Sequence, residues 1–213
     1  MNKLVDFKFQ YVDKSVYPQV IILLSELNKH SHETYEHSLD VYNLSAQLGE
    51  MLGLSKHKLC NLCTAAVLHD IGKLAIPTYI LESPNMTISQ RNYVKYTHVK
   101  ETIRYLIQGG FPQEVIDIAS HHHEKVNGSG YPKGLRGNKV SFEDQILIVA
   151  DHTSAILMTR SYKSGKTTKE CATILDNMAK NNEVDKKITD CMVSILNTRD
   201  MLWQNPNNHS MSL

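Results

Sequence analysis

Acidic and imidazole side chains recur on the apolar faces of helices along this 213-residue sequence, and that constrains its fold more than any other feature. Apolar residues repeat at three- and four-residue spacing nearly throughout, and no stretch alternates over strand length, so the expected fold class is all-α. Glu33, His37, Val41, Leu44 and Leu48 share one helix face. Val115, Ile118 and His122 share another, with Ile116, Ala119 and His123 beside it. Leu147, Asp151, Ala155 and Met158 align in the same way, and His69-Asp70 closes a helix whose inner side is Leu59, Leu62 and Ala66. An unpaired carboxylate is costly to bury, so such groups are normally paired or bound to metal. Several of them in one small helical domain imply convergence.

The organisation follows from breakers and caps. Residues 1–30 read as an extension followed by a helix, 31–199 as the main domain, and 200–213 as a polar tail. Within the domain, helices are expected at 33–52, 58–70, 87–108, 112–124, 142–160, 167–180 and 184–199. Thr87 and Gln90 make a capping box, and Gly109-Gly110 ends the helix that follows. Residues 74–86, with Pro77 and Pro84, and 126–139, with four glycines and Pro132, are expected as loops.

Charge and composition exclude some functions. A formal net charge of +1 lacks the basic surplus of a DNA-binding protein, although a small anion needs only a few placed cations. The longest apolar run, Val20 to Leu24, is far too short to span a membrane. Asp6 and Lys8 interrupt the apolar residues near the N-terminus, which therefore lacks a signal peptide's core. A cytoplasmic protein with reduced thiols is expected. Cys60-x-x-Cys63 has no second close pair to complete a zinc site, since Cys171 and Cys191 are isolated, and it reads as small thiols packed on a helix.

A lone histidine on an apolar face is more often a hydrogen-bonded core residue than a ligand. His30, His32, His57, His152 and His209 are therefore given no role, and His121 is expected to be exposed or to sit behind the ligands. The remaining histidines lie in specific local motifs. His69-Asp-Ile-Gly-Lys-Leu-Ala-Ile-Pro77 is followed by His122-His-Glu-Lys-Val-Asn-Gly-Ser-Gly-Tyr-Pro132. Glu33-x-x-x-His37, the isolated His98, Val149-Ala-Asp151 and Arg160-Ser-Tyr-Lys163 accompany them in order. Together these resemble the HD-GYP family of HD-superfamily phosphohydrolases over about residues 30–197.

The resemblance implies an HD-type helical domain with a glycine-rich Gly-Tyr-Pro loop and a centre of two or three divalent metals, iron or manganese. It makes His37, His69, Asp70 and Asp151 the ligands common to HD proteins. His98, His122 and His123 would hold a second metal with Asp70 bridging, and Glu33 would serve a third. It gives Lys73 the phosphoryl oxygens, Arg160 and Lys163 the substrate phosphate, and Gly130, Tyr131 and Pro132 a supporting role with possible contact to a protein partner. The imidazole and carboxylate donor set itself suits iron or manganese better than a cysteine-rich set would. Adjacent metals generate a hydroxide at neutral pH that attacks phosphorus in line. The implied activity is hydrolysis of cyclic di-GMP to linear pGpG and onward to GMP. Lys125, Asn127 and Ser154 depart from the family pattern and put loop rigidity and substrate positioning in question. They motivate two alternatives: hydrolysis of another cyclic dinucleotide such as cyclic GMP-AMP, and a weakly catalytic module that binds nucleotide and recruits a partner.

Overall fold

Side-chain caps start the long helices where the sequence places them. Ser31 accepts from the Thr34 amide and Ser55 from the Lys58 amide, and Thr87–Gln90, Ser141–Asp144 and Thr167–Glu170 form reciprocal capping boxes. The computed structural model describes residues 9–158 and 165–204. The helices are α1 (Tyr17–His30), α2 (His32–Met51), α3 (Lys56–Leu68), α4 (Thr78–Leu81), α5 (Ile88–Gln108), α6 (Gln113–Ser120), α7 (Phe142–Leu157), α8 (Thr168–Lys180) and α9 (Lys186–Gln204). Short 3-10 segments span Ile71–Ala75 and Gly137–Lys139, and there is no strand among the described residues. The fold is all-α, as the periodicity requires.

The core is built around α3, whose C-terminal half is apolar on every side. Leu62, Cys63, Ala65, Ala66, Val67 and Leu68 are all completely buried, the pattern of a helix enclosed by others. Helix α2 packs against α3 and α7, and also meets α1 and α9. Its inner stripe is Val41, Leu44 and Leu48, while α7 buries the unbroken run Ile146 to Ala150. Each such Leu, Ile or Val contributes about 1.5–3 kcal/mol by burial, so α2, α3 and α7 form the rigid frame on which His37, His69-Asp70 and Asp151 are mounted. Helix α1 belongs to the same core through Val20, Leu24 and Leu27. No helix of the described residues is long and apolar enough to cross a membrane.

Some boundaries differ from expectation for physical reasons. Helix α3 stops at Leu68 rather than Asp70, and α6 stops at Ser120 rather than near Glu124. In both places two adjacent polar residues follow, and neighbours on a helix point about 100° apart. Leaving the helix lets His69 with Asp70, and His122 with His123, turn toward one point. The stretch 74–86 contains the short helix α4, and α7 ends at Leu157 rather than 160. Helix α9 runs on to Gln204, past 199, because no breaker intervenes before Pro206, which disfavours helix at Asn205. The four cysteines are free; Cys63 is fully buried, and burial pushes its thiol pKa up, away from a reactive thiolate.

One glycine fixes how the chain after α3 crosses α5. A Cβ on Gly72 would lie 1.9 Å from the His98 carbonyl oxygen and 2.4 Å from the Thr102 amide. The contact is locked by Thr102, whose hydroxyl donates to the His69 carbonyl (3.0 Å) and accepts from the Gly72 amide (3.0 Å). Gly72→Ala therefore forces α5 away from the His69-Asp70 turn. It should cost at least about 2 kcal/mol, lowering the melting temperature by on the order of 5 °C in a calorimetric scan; an unchanged melting temperature would contradict this contact.

Candidate metal centre

Five helix ends and faces deliver the expected residues to one place. His37 comes from α2, His69 and Asp70 from the turn after α3, His98 from α5, His122 and His123 from the turn after α6, and Asp151 from α7. All are buried apart from half-buried His123. Two groups have ligand atoms within 4.8 Å of one another: His37, His69 and Asp70; and His98, His122 and His123. Asp151 joins the first through Oδ1, 2.9 Å from His37 Nε2 and 3.6 Å from His69 Nε2. Asp70 faces both. Its Oδ2 lies 3.4 Å from His69 Nε2 and 3.9 Å from His37 Nε2, and its Oδ1 lies 3.8 Å from His98 Nε2.

Hydrogen bonds on the far side of each ring decide what the inner nitrogens are. His69 Nδ1 donates to the Ala66 carbonyl (2.8 Å), His98 Nδ1 to the Val94 carbonyl (2.7 Å), and His122 Nδ1 to the Ala119 carbonyl (2.6 Å). A carbonyl only accepts, so Nδ1 carries the proton and a neutral ring presents a lone pair at Nε2. His98 Nε2 stands 3.3 Å from His122 Nε2 and 3.0 Å from His123 Nε2. Burial drives the pKa of His98 down, that of His122 well down and that of His123 down to about 3, so these rings stay neutral. The lone pairs of His98 and His122, facing each other at 3.3 Å, repel unless a cation lies between them.

The other group makes the same demand. His69 Nε2 is buried with no hydrogen-bond partner. Burial opposes a charge on this ring, yet Asp70 and Asp151 outweigh it and push its pKa up to about 10. Burial likewise opposes the charge on each carboxylate, but Lys73 and His69 hold Asp70, and His37 and His69 hold Asp151, well below the usual range. Two buried anions facing imidazoles make a strongly cation-attracting point. Cis ligands around a six-coordinate ion at ~2.1 Å lie about 3 Å apart, close to the 2.9–3.9 Å separations here. The donor set fits divalent metal on both sides of Asp70.

The remaining expected residues fall as follows. Lys73 donates to Asp70 Oδ2 (2.5 Å) at the cleft edge. Glu33 lies one turn before His37 on α2, half-buried and outside both ligand groups. Arg160, Lys163 and His209 lie outside the described residues. Tyr131 stacks on His123, with ring centroids 4.5 Å apart, and donates its amide to the His123 carbonyl (3.1 Å); its peptide to Pro132 is cis. Gly130 lies where a Cβ would meet Glu124 Cα at 2.5 Å. His121 is neither exposed nor behind a ligand. It is half-buried and pairs with Asp144 Oδ2 (3.1 Å), because the turn that aims His122 inward sends its neighbour toward the start of α7.

Several contributors had no contact assigned from the sequence, which marked Lys125, Asn127 and Ser154 only as departures from the family pattern. Buried Glu124 accepts the amides of Lys133 (2.6 Å) and Leu135 (2.9 Å) and so ties down the Gly-Tyr-Pro loop. Asn127 stiffens that loop by accepting the Ser129 amide and donating to the Asn181 carbonyl, and Lys125 pairs with Glu183 (2.8 Å). Ser154 is fully buried, with Oγ 2.9 Å from His37 Nδ1. A cleft of about 570 Å³ opens over the site, and His152, Arg91 and Lys95 line it with the ligands. Arg91, Lys95 and His98 are spaced i, i+4, i+7, a same-face pattern that was visible in the sequence.

Known proteins bear on this geometry. The HD domain family matches residues 21–188. The 3'3'-cGAMP-specific phosphodiesterase 1 of Vibrio cholerae is 29% identical over 81% of this chain and 40% of its own length. A cyclic di-GMP phosphodiesterase of Thermotoga maritima is 32% identical over 82% of this chain and 46% of its own length. The chain thus spans less than half the length of these curated relatives. Among solved structures, the HD domain of the Listeria monocytogenes phosphodiesterase PgpH in complex with cyclic-di-AMP superposes with a TM-score of 0.63 at 22% identity, covering 83% of this chain and 97% of that one. The HDG"Y"P protein Bd1817 of Bdellovibrio bacteriovorus gives 0.61 at 23% identity, covering 76% and 51%.

Ser154 is the point at which this site can be tested without touching a ligand. With its Oγ 2.9 Å from His37 Nδ1 it fixes the ring that presents Nε2 inward, and loss of such a partner typically weakens metal affinity about 10–100-fold. Ser154→Ala should show that loss in calorimetric titration of manganese(II) into metal-stripped protein; an unchanged affinity would remove Ser154 from the site.

Proposed function

The chain belongs to the HD domain family, and from that premise we propose that it is a metal-dependent phosphodiesterase of cyclic dinucleotides, with cyclic di-GMP as its substrate and linear pGpG as first product. What carries the reading is the set of carbonyl-anchored histidines whose inner nitrogens face one another across Asp70, beneath a cleft lined by cations. His37, His69, Asp70 and Asp151 would hold one ion, and His98, His122 and His123 a second that shares Asp70. A third ion would call on Glu33. The imidazole-rich, thiolate-free donors favour iron or manganese. When bound, such ions lower the pKa of water to supply a nucleophile at neutral pH and polarise the phosphoryl oxygens.

The chain's own residues do the rest. Lys73 holds its ammonium at the boundary between Asp70 and the cleft, where charge on a phosphoryl oxygen would develop. Arg160 and Lys163 complete the phosphate contacts in this proposal. Tyr131 packs flat on His123 and keeps that ring in place, while Gly130 and Pro132 shape the loop that carries it. A protein partner would meet this loop at exposed Ser129, Pro132 and Lys133, since the tyrosine is committed inward. Four free thiols fit a reducing cytoplasm.

Anaerobically purified protein loaded with iron(II) or manganese(II) should convert cyclic di-GMP to pGpG, resolved by chromatography beside cyclic GMP-AMP and cyclic di-AMP. Lys73→Ala should lower kcat by about 10²–10³-fold, and Asp70→Asn should abolish turnover together with metal binding. A loaded protein that binds cyclic di-GMP but leaves it intact would overturn the reading, and preference for another cyclic dinucleotide would replace the substrate.

A further inference from the structure

The cleft holds more positive charge at its outer end than one reacting phosphate needs. Arg91 and Lys95 precede His98 on the same face of α5, so they rise from the metal centre toward the cleft mouth over roughly 10 Å of helix. Lys73 is engaged by Asp70, but neither Arg91 nor Lys95 pairs with a carboxylate among the described residues. Arg91 donates Nε to the Met86 carbonyl (3.1 Å), which leaves its terminal guanidinium nitrogens for other acceptors. Lys95 is held in place: its Nζ lies 4.1 Å from the centroid of the Tyr131 ring, the ring that stacks on His123. The ammonium is thereby fixed one ring away from the ligands rather than swinging in solvent.

We infer that Arg91 and Lys95 form a second anion subsite, which takes the phosphodiester of a cyclic dinucleotide that is not being cleaved. This rests on the reading of the substrate proposed above. A cyclic dinucleotide carries two phosphodiesters on opposite sides of its ring, so when one reaches the metal centre the other must lie elsewhere in the cleft. There it loses water and needs cations, and these two are the cleft cations without a carboxylate partner among the described residues. Guanidinium and ammonium contacts to phosphate are among the stronger hydrogen bonds. The pair acts on affinity and selectivity, separating a substrate with two phosphates from a simple diester with one.

The test compares cyclic di-GMP with bis(p-nitrophenyl) phosphate on the manganese-loaded full chain. Arg91→Ala and Lys95→Ala should each raise KM for cyclic di-GMP about tenfold with kcat within about threefold. Selectivity for cyclic di-GMP over the simple diester should fall by the same factor, and Lys95→Arg should restore most of it. Lys100→Ala removes a charge from the opposite face of α5 and should change nothing. Circular dichroism melts show whether each variant is folded, and Lys95→Gln keeps the stem on Tyr131 should the alanine variant fail. Equal losses on both substrates, or an unchanged KM for cyclic di-GMP, would overturn the subsite while leaving the proposed activity standing. A wild-type protein that cleaves the simple diester but not cyclic di-GMP would overturn both.

Discussion

Everything else in this structure is arranged around the carboxylate of Asp70, which faces two groups of imidazoles at once. Its Oδ2 looks toward His37 and His69 and its Oδ1 toward His98, and it is buried. A carboxylate in that position is tolerable only with cations on both sides. The side chain of Lys73 supplies one positive charge on the Oδ2 side, and His98, which burial keeps neutral, supplies none on the Oδ1 side. Each of the four core histidines uses its outer nitrogen on a fixed partner, a backbone carbonyl in three cases and Ser154 in the fourth. The protein therefore spends its own hydrogen bonds on pre-setting ligand tautomers, which lowers the cost of ordering the site when metal arrives.

That requirement explains where the helices end. Adjacent residues on a helix diverge, so a pair of neighbouring ligands must sit just beyond a helix rather than within it. His69-Asp70 follows α3 and His122-His123 follows α6, and both turns begin with the outer nitrogen of the first histidine bonded three residues back. Single ligands stay on helices: His37 on α2, His98 on α5, Asp151 on α7. Gly72 then allows α5 to come within contact of the first turn, and Thr102 bolts the two together through the His69 carbonyl. The two candidate ligand groups are thus registered against each other through backbone contact, which is stiffer than side-chain packing.

Much of this was legible in the sequence because it has a period. The all-α fold, the Thr87–Gln90 capping box and the inward stripes carrying His37 and Asp151 follow from three- and four-residue spacing. The motif residues His69-Asp70 and His122-His123 were legible as neighbours. What the sequence hid were the partners that act through contact across the fold. Ser154 and His37 lie far apart in the chain, so the sequence marks Ser154 as a departure from the family pattern but not as a partner of His37. Glu124 reads as a surface residue until the loop folds back and gives it two amides. The helix limits at Leu68 and Ser120 were missed because no glycine or proline follows at once and the face pattern was carried on through the histidines; the end is set by where the next side chains must point, a tertiary demand.

Under the proposed function, the position of α5 ties substrate choice to metal geometry. One face of this helix holds His98 at the candidate metal centre, and one and two turns earlier it holds Lys95 and Arg91 facing the same cleft. Because Gly72 fixes the helix against the His69-Asp70 turn, α5 cannot slide or rotate to suit a different substrate without dragging His98 off its partners. A shift of even part of an ångström would open the 3.0–3.3 Å spacing to His123 and His122. Selectivity in such a scaffold has to change through the side chains borne on the outer turns, not through the backbone. The same logic accounts for Tyr131: by stacking on His123 while lying under Lys95, one ring steadies a ligand and a cleft cation together. The Gly-Tyr-Pro loop is then part of the site's wall, held in place by Glu124 so that neither neighbour of the ring can move alone.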